Sequence, residues 1–179
     1  MKPKHIVLGV TGSIAAYKAG DIIRRLQDNG CEVSVIMTDG AQKFITPLTL
    51  EVLSKKPVAV SMFERDSEWD MAHISLARWA DLYLIAPATA NVIGKFANGV
   101  SDDLLTCTAI TTKAPIVIAP AMNTDMYTNA IVQDNITKLK KHGVTFIEPK
   151  EGKLACGDLG KGALADVDEI VKVVIGLLK

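Results

Sequence analysis

Three side chains of this sequence could carry chemistry at neutral pH: the imidazole of His73, the carboxamide of Asn123 and the thiol of Cys156. A histidine titrates near neutral pH and can therefore act as a general base. An asparagine offers amide N–H donors that can hold a carboxylate. Each residue also has an ordinary interpretation, since a lone histidine is often structural and an asparagine after a strand often caps a turn.

Cys156 lies in a glycine-rich segment, residues 148–165, that shows little apolar periodicity. We expect a long flexible loop here, and such loops often close over a ligand. Lys153 and Lys161 are nearby cations that could favour the thiolate of Cys156. The chain has three cysteines without regular spacing, which argues against a disulfide framework. Its three histidines lack metal-ligand spacing, so we expect no metal site.

Three apolar runs, over residues 5–10, 82–86 and 116–119, each end in small or polar residues. The residues that follow them are Thr11-Gly12-Ser13, Pro87-Ala88-Thr89-Ala90-Asn91 and Pro120-Ala121-Met122-Asn123. In an open parallel sheet, ligands bind outside the carboxyl ends of the strands. We therefore expect one binding site at this edge of the sheet, for a phosphorylated cofactor.

Predicted strands alternate with amphipathic helices along the chain, which is typical of right-handed βαβ units. Further strands are predicted over residues 33–37 and 144–147. Helices are predicted after Ser13 and over residues 41–45, 48–53, 74–79, 92–97, 131–141 and 167–178. A further helix, capped by Ser101 or Asp102, is predicted to end at Thr112. The predicted fold class is α/β. We expect one domain over residues 1–179, with a doubly wound, mostly parallel sheet covered by helices on both faces, in a flavodoxin-like or Rossmann-like three-layer sandwich.

The composition is that of a globular chain, with 49% hydrophobic and 22% charged residues among 179. Lysines and arginines balance aspartates and glutamates at 20 each, so the charge gives no reason to expect nucleic acid or an acidic membrane surface as partner. The apolar runs are shorter than the ~20 residues of a bilayer span. No signal-peptide pattern is present, and we expect a cytoplasmic protein.

The loop after the first strand, from Gly9 to Ser13, indicates the type of cofactor. Free backbone N–H groups at a helix start favour a phosphate. The spacing matches neither the dinucleotide G-x-G-x-x-G motif nor the phosphate loop of nucleotide triphosphatases. Thr38 ends the second strand where a dinucleotide site would place a carboxylate, so FMN fits better than NAD. The ordinary alternative is a glycine turn with a serine cap.

Five segments together resemble the homo-oligomeric flavin-containing cysteine decarboxylases. The segments are GSIAAYK at 12–18, HISL at 73–76 with RWAD at 78–81, APATAN at 86–91 with NGVSDDLL at 98–105, PAMNTDM at 120–126 and GKLACG at 152–157. Any one of these motifs is weak evidence. Five of them in the family's order make a specific match that covers nearly the whole chain.

The resemblance implies an FMN-dependent enzyme of coenzyme A biosynthesis that converts 4'-phosphopantothenoyl-L-cysteine to 4'-phosphopantetheine. The substrate would be oxidised to a thioaldehyde, lose CO2 and be re-reduced from an enethiol. By the family's pattern, His73 serves the oxidation and decarboxylation, Asn123 holds the carboxylate, and Cys156 closes over the substrate and donates a proton in the reduction. The implied flavin contacts are Gly12, Ser13, Thr38, Pro87, Ala88, Thr89, Ala90 and Ser101. The implied substrate contacts are Ala121, Met122, Asn123 and Lys161.

Two positions depart from the family's pattern. Tyr127 stands where tryptophan is common, and Ala163 stands where the segment after Cys156 often carries arginine. The missing arginine places one substrate contact in doubt, although Lys161 could compensate for it.

The resemblance also implies partners and leaves alternative functions open. The family forms homo-oligomers, trimers that often assemble into dodecamers, and the decarboxylase domain is fused in many bacteria to the cysteine ligase that makes its substrate. This chain would then be a stand-alone enzyme or an excised domain. The alternatives are a peptidyl-cysteine decarboxylase of lantibiotic maturation, which lacks the cysteine clamp, a prenyltransferase relative and a non-catalytic regulatory subunit.

Overall fold

A computed structural model describes residues 2–63, 71–153, 157 and 159–179. Its central sheet has five parallel strands: β1 (Lys4–Val10), β2 (Cys31–Met37), β3 (Leu82–Ala88), β4 (Ile116–Pro120) and β5 (Thr145–Phe146). The strands lie in the order β2-β1-β3-β4-β5. This is the flavodoxin-like order of a doubly wound sheet, and the predicted α/β fold is confirmed.

Helices cover both faces of the sheet because successive strand residues point to opposite faces. The helices are α1 (Ala19–Asp28), α2 (Pro47–Ser54), α3 (Ala72–Trp79), α4 (Ala90–Ala97), α5 (Leu104–Thr111), α6 (Thr124–Thr128), α7 (Ala130–Lys141) and α8 (Val167–Leu177). Ile6 and Leu8 of β1 belong to the core that includes buried residues of α1, α2 and α8. Val7, between them, belongs to the core that includes α4, α5 and α7.

The glycine-rich segment contains regular structure that we did not expect. β6 (Lys150–Lys153) and β7 (Leu159–Ala163) form an antiparallel pair, so the prediction of a long loop is wrong for these residues. Glycines hide this hairpin from a periodicity search because they leave no apolar face. The hairpin is held instead by close backbone contact, since the N–H of Met122 donates to the carbonyl oxygen of Gly162 at 3.0 Å.

The start of α5 also differs from expectation. Asp103, and not Ser101 or Asp102, caps α5: its carboxylate accepts the N–H of Thr106, whose hydroxyl lies 3.4 Å from the Asp103 N–H. A reciprocal capping box outcompetes a single cap. None of the helices described by the structure is long and apolar enough to cross a membrane.

Candidate functional site

A cleft of about 720 Å³ opens at the carboxyl edge of the sheet, where the sequence places the site. The described residues that line it come from the segments after β1, β2, β3 and α2, from the segment before α5, and from helices α4, α5 and α6. They include Thr11, Gly12, Thr38, Asp39, Gly40, Met62, Phe63, Thr89, Asn91, Val92, Lys95, Asp102, Asp103, Leu104, Leu105 and Met126. Three of the predicted flavin contacts, Gly12, Thr38 and Thr89, are therefore in its wall.

Thr11 joins the ends of β1 and β3. Its buried hydroxyl donates to the carbonyl oxygen of Pro87 at 2.7 Å and accepts the N–H of Thr89 at 3.1 Å. Burying a hydroxyl is favourable only when it is hydrogen-bonded, and Thr11 is bonded on both sides. Our sequence reasoning did not select this residue, although a threonine directly after a buried strand was a usable signal.

Gly12 lies against the loop that follows β2. A Cβ placed on Gly12 would lie 3.0 Å from the carbonyl carbon and 3.1 Å from the Cα of Gly40. Because both neighbours are backbone atoms, a side chain at this position would push the two loops apart. The glycine therefore permits a backbone cradle at the mouth of the cleft.

Two hydroxyl residues flank this cradle. The Thr38 N–H donates to the carbonyl oxygen of Val10 at 3.1 Å, and its Oγ1 lies 3.2 Å from the N–H of Ala41. Ser13 accepts the N–H of Ala15 at 3.3 Å and so caps the 3-10 turn over Ile14–Lys18. The predicted serine cap is confirmed.

The remaining predicted flavin contacts lie near the cleft without being among its described lining residues. Pro87 and Ala88 are the last residues of β3, and Ala90 is the first residue of α4, directly after the lining residue Thr89. Ser101 is exposed, and its carbonyl oxygen accepts the thiol of Cys107 at 3.1 Å. Their role in flavin binding stays a prediction.

One wall of the cleft carries an ion-pair cluster. Lys95 of α4 donates to Asp102 at 2.7 Å and lies 3.4 Å from Asp103. The hydrogen bond to Asp102 raises the pKa of Lys95, and the same bond lowers the pKa of Asp102. The cluster fixes the segment before α5 to α4, and the charge of Lys95 is neutralised there.

The predicted substrate contacts meet at the end of β4. Asn123 is the N-cap of α6, and its Oδ1 accepts the N–H of Asp125 at 2.8 Å. Ala121 is buried, and its N–H donates to the carbonyl oxygen of Ala88 at 2.9 Å. The N–H of Met122 donates to Gly162, the penultimate residue of β7 and the neighbour of Lys161. The hairpin thus brings Lys161 to the segment 121–123.

His73 is placed differently from the other candidates. It lies in the first turn of α3, half-buried, and is not among the described residues that line the cleft. Helix α3 packs against α5, and the Thr112 hydroxyl that follows α5 donates to the carbonyl oxygen of Ala77 at 3.1 Å. Cys156 lies outside the described residues, so its predicted role stays a prediction.

The cleft fits a phosphorylated planar cofactor such as FMN. The Gly12–Gly40 cradle, which a Cβ would fill, lets a phosphate approach backbone N–H groups. Val92, Leu104 and Leu105 supply apolar surface on another part of the wall, as a flavin ring requires.

A doubly wound sheet of order 2-1-3-4-5 with this cradle at its carboxyl edge defines a flavodoxin-like nucleotide-binding protein. The family model described as Flavoprotein matches residues 1–179. The chain belongs to this family, and the resemblance found in the sequence is confirmed.

Two curated relatives illustrate the range of the family. A probable phosphopantothenoylcysteine decarboxylase from Streptococcus mutans is 49% identical over 173 residues, which are 96% of this chain and 97% of that protein. The coenzyme A biosynthesis bifunctional protein CoaBC from Vibrio vulnificus is 46% identical over 168 residues. That match covers 94% of this chain and 42% of the relative, so the chain spans less than half the length of the bifunctional protein.

Two solved structures are similar over almost their whole length. A cysteine-to-serine mutant of PPC decarboxylase complexed with pantothenoylaminoethenethiol has a TM-score of 0.85 and 33% identity, covering 97% of each chain. The FMN-dependent cysteine decarboxylase SpaF has a TM-score of 0.86 and 32% identity, covering 99% of each chain.

Proposed function

We propose that this chain is an FMN-dependent decarboxylase that converts 4'-phosphopantothenoyl-L-cysteine to 4'-phosphopantetheine in coenzyme A biosynthesis. One observation carries the proposal: the similarity to the streptococcal decarboxylase extends over 97% of that protein at 49% identity. The complex of a structural relative with pantothenoylaminoethenethiol, an enethiol, supports the same substrate class.

FMN, when bound, supplies the two-electron oxidation of the thiol-bearing carbon and later returns the electrons. Gly12, Ser13, Thr38 and Thr89 would hold its phosphate and ribityl groups through backbone N–H and hydroxyl groups. Pro87, Ala88, Ala90 and Ser101 are the further contacts that the family's pattern implies. The protein's own contribution is to orient the substrate and to exclude water.

Asn123 is the residue that holds the substrate carboxylate. Its Oδ1 accepts the cap hydrogen bond from Asp125, which fixes the orientation of the carboxamide. The carboxylate would accept from the Nδ2 end of the same group. Fixing the carboxylate also sets the direction in which the C–C bond breaks. Ala121, Met122 and Lys161 complete the substrate contacts.

His73 and Cys156 are the proton-handling residues. His73 acts as a base, or positions the substrate thiol, while the substrate is oxidised and CO2 leaves. Cys156 donates a proton when the enethiol is reduced. General acid–base help of this kind contributes roughly 10²–10⁴-fold in rate.

We further propose that the protein is a homo-oligomer, either a trimer or a dodecamer assembled from trimers. The position of His73 outside the described lining of its own cleft supports this, because a second subunit could bring that histidine to the site. The bifunctional relatives support a second partner, the cysteine ligase that makes the substrate.

Two measurements test the proposal. The purified protein, or the protein mixed with FMN, should show the visible spectrum of a bound flavin. It should release CO2 from 4'-phosphopantothenoyl-L-cysteine and far less from a peptide that ends in cysteine. A colourless protein that does not bind FMN, or one that prefers the peptide, contradicts the proposal. Replacing His73 or Asn123 should stop CO2 release.

A further inference from the structure

The face of β7 that packs against the start of α6 carries two glycines, Gly160 and Gly162. A Cβ on Gly160 would lie 2.3 Å from Oγ1 of Thr124, and a Cβ on Gly162 would lie 2.3 Å from the carbonyl oxygen of Met122. These distances are far below van der Waals contact, so the hairpin lies flush on the segment from Met122 to Thr124. Small relative movements of the two elements therefore change the surroundings of Asn123 directly.

The carboxylate of Glu148, just before β6, links β7 to α6 through hydrogen bonds. Its Oε2 accepts the hydroxyl of Tyr127, on α6, at 2.8 Å and the ammonium of Lys161, on β7, at 2.8 Å. Its Oε1 accepts Lys140 of α7 at 3.1 Å. Tyr127 is buried, and the ammonium of Lys161 lies 5.6 Å from the centre of its ring.

We infer that Glu148 is a positioning residue: its carboxylate anchors the hairpin to α6 through Lys161 and Tyr127 and so sets Lys161 relative to Asn123. The inference rests on the proposed function, because it concerns the placement of two proposed substrate contacts. It also gives a physical role to Glu148, which lies outside the five sequence motifs, and to Tyr127, one of the two departures from the family's pattern.

The carboxylate charge is the property that this role requires. One oxygen accepts from a neutral hydroxyl and from a cation, and charge-assisted hydrogen bonds are about twice as strong as neutral ones. A glutamine at position 148 keeps the size of the side chain and one acceptor oxygen. It loses the attraction for Lys161, so the hairpin would lose its ionic contact while the fold is kept.

A kinetic comparison tests the role in substrate binding. We expect Glu148→Gln to raise KM for 4'-phosphopantothenoyl-L-cysteine about three- to tenfold with kcat little changed. Lys161→Met should raise KM as well, and the double variant should be no worse than the more affected single variant, because both remove one contact. The matched control is Glu169→Gln, an exposed glutamate in the first turn of α8, whose KM should stay within about twofold of the parent.

Hydrogen–deuterium exchange tests the anchor without relying on activity. The Met122 N–H is bonded to the carbonyl oxygen of Gly162, so it reports on the contact between the two elements. We expect its exchange to be about tenfold faster in Glu148→Gln than in the parent or in the control Glu169→Gln. The inference would be overturned if the Met122 N–H exchanged at the parent rate in Glu148→Gln. It would also be overturned if the rise in KM of the double variant were the product of the rises in the two single variants. A parent protein that releases no CO2 would instead contradict the proposed function, and the exchange comparison would still decide the anchor.

Discussion

The hydroxyl of Thr11 donates to the carbonyl oxygen of Pro87 at 2.7 Å, across the ends of two neighbouring strands. The same hydroxyl accepts the N–H of Thr89, the residue that caps α4. One buried side chain therefore sets the distance between the loop after β1 and the start of α4. Both segments line the cleft, and their spacing decides what the cleft can hold.

Replacing Thr11 with valine should destabilise the protein and weaken FMN binding. Valine keeps the shape but leaves the N–H of Thr89 without its partner, which costs about 1–3 kcal/mol. Denaturant unfolding and a flavin fluorescence titration measure the two effects. Thr111→Val is a suitable control, because Thr111 is exposed on α5 and its hydroxyl donates to the carbonyl oxygen of Cys107 in the same helix. Equal unfolding midpoints for the two variants would contradict the expectation.

Gly12→Ala should reduce FMN affinity more than its small size suggests. The added methyl would lie 3.0–3.2 Å from backbone atoms of Gly40, which can move only if the loop after β2 moves. We expect a loss of roughly 1–3 kcal/mol in stability, as for other overpacked sites. Gly176→Ala provides the contrast, since nothing lies within 4 Å of that position in α8 and alanine should stabilise the helix by about 0.5–1 kcal/mol. If both variants bind FMN as the parent does, the cradle is not part of the site.

The sheet and its helices could be predicted because their signals are local. Strand residues alternate between two cores, and helix residues recur at helical spacing, so each element is visible in a short window of sequence. The same logic located the ends of β1, β3 and β4. It could select Gly12, Thr38 and Thr89 for the cleft because they lie within three residues of the ends of predicted strands.

The hairpin and the role of Glu148 could not be predicted, because their contacts join distant parts of the chain. Position 162 requires glycine because a Cβ there would collide with the carbonyl oxygen of Met122. The tertiary fold, and not the local sequence, brings that oxygen close. The N-cap of α5 was also difficult to predict, because three consecutive polar residues, 101–103, could each cap the helix. Asp103 is the cap because it forms reciprocal hydrogen bonds with Thr106. Sequence patterns identify elements, while packing decides between neighbouring residues.

Asn123→Asp should abolish CO2 release without unfolding the protein. Aspartate is as good an N-cap as asparagine, so the bond to the N–H of Asp125 can persist. The substitution removes the amide donor and places a negative charge against the substrate carboxylate. Asn129→Asp is the matched control, because Asn129 caps α7 in the same way, accepting the N–H of Ile131 at 2.9 Å. CO2 release at the parent rate by Asn123→Asp, measured next to this control, would remove Asn123 from the site.

The contribution of Glu148 to stability should depend on pH. The hydrogen bond from Lys161, together with those from Tyr127 and Lys140, lowers the pKa of Glu148 from 4.5 to about 2. Because the folded-state pKa is the lower one, the stabilisation is present above about pH 4.5 and is lost as the pH falls towards 2. The effect should be small, since the side chain is half exposed and solvent screens the charges. The difference in urea unfolding between the parent and Glu148→Gln should therefore shrink steadily as the pH falls from 4.5 towards 2. A difference that is as large at pH 3 as at neutral pH would contradict the ion pair.

Cys156→Ser should separate the two halves of the reaction. A serine hydroxyl is a much weaker acid than a thiol, so the reduction of the enethiol should slow by roughly 10²–10⁴-fold while oxidation and CO2 release continue. Mass spectrometry of the product measures this, because the enethiol is two hydrogens lighter than 4'-phosphopantetheine. Cys107→Ser is the control: its thiol donates to the carbonyl oxygen of Ser101, a bond that serine can replace, and its product should be fully reduced. If Cys156→Ser yields reduced product at the parent rate, the proton donor is another group. Lys161 is then the next residue to replace, because it neighbours Gly162, whose carbonyl oxygen accepts the N–H of Met122.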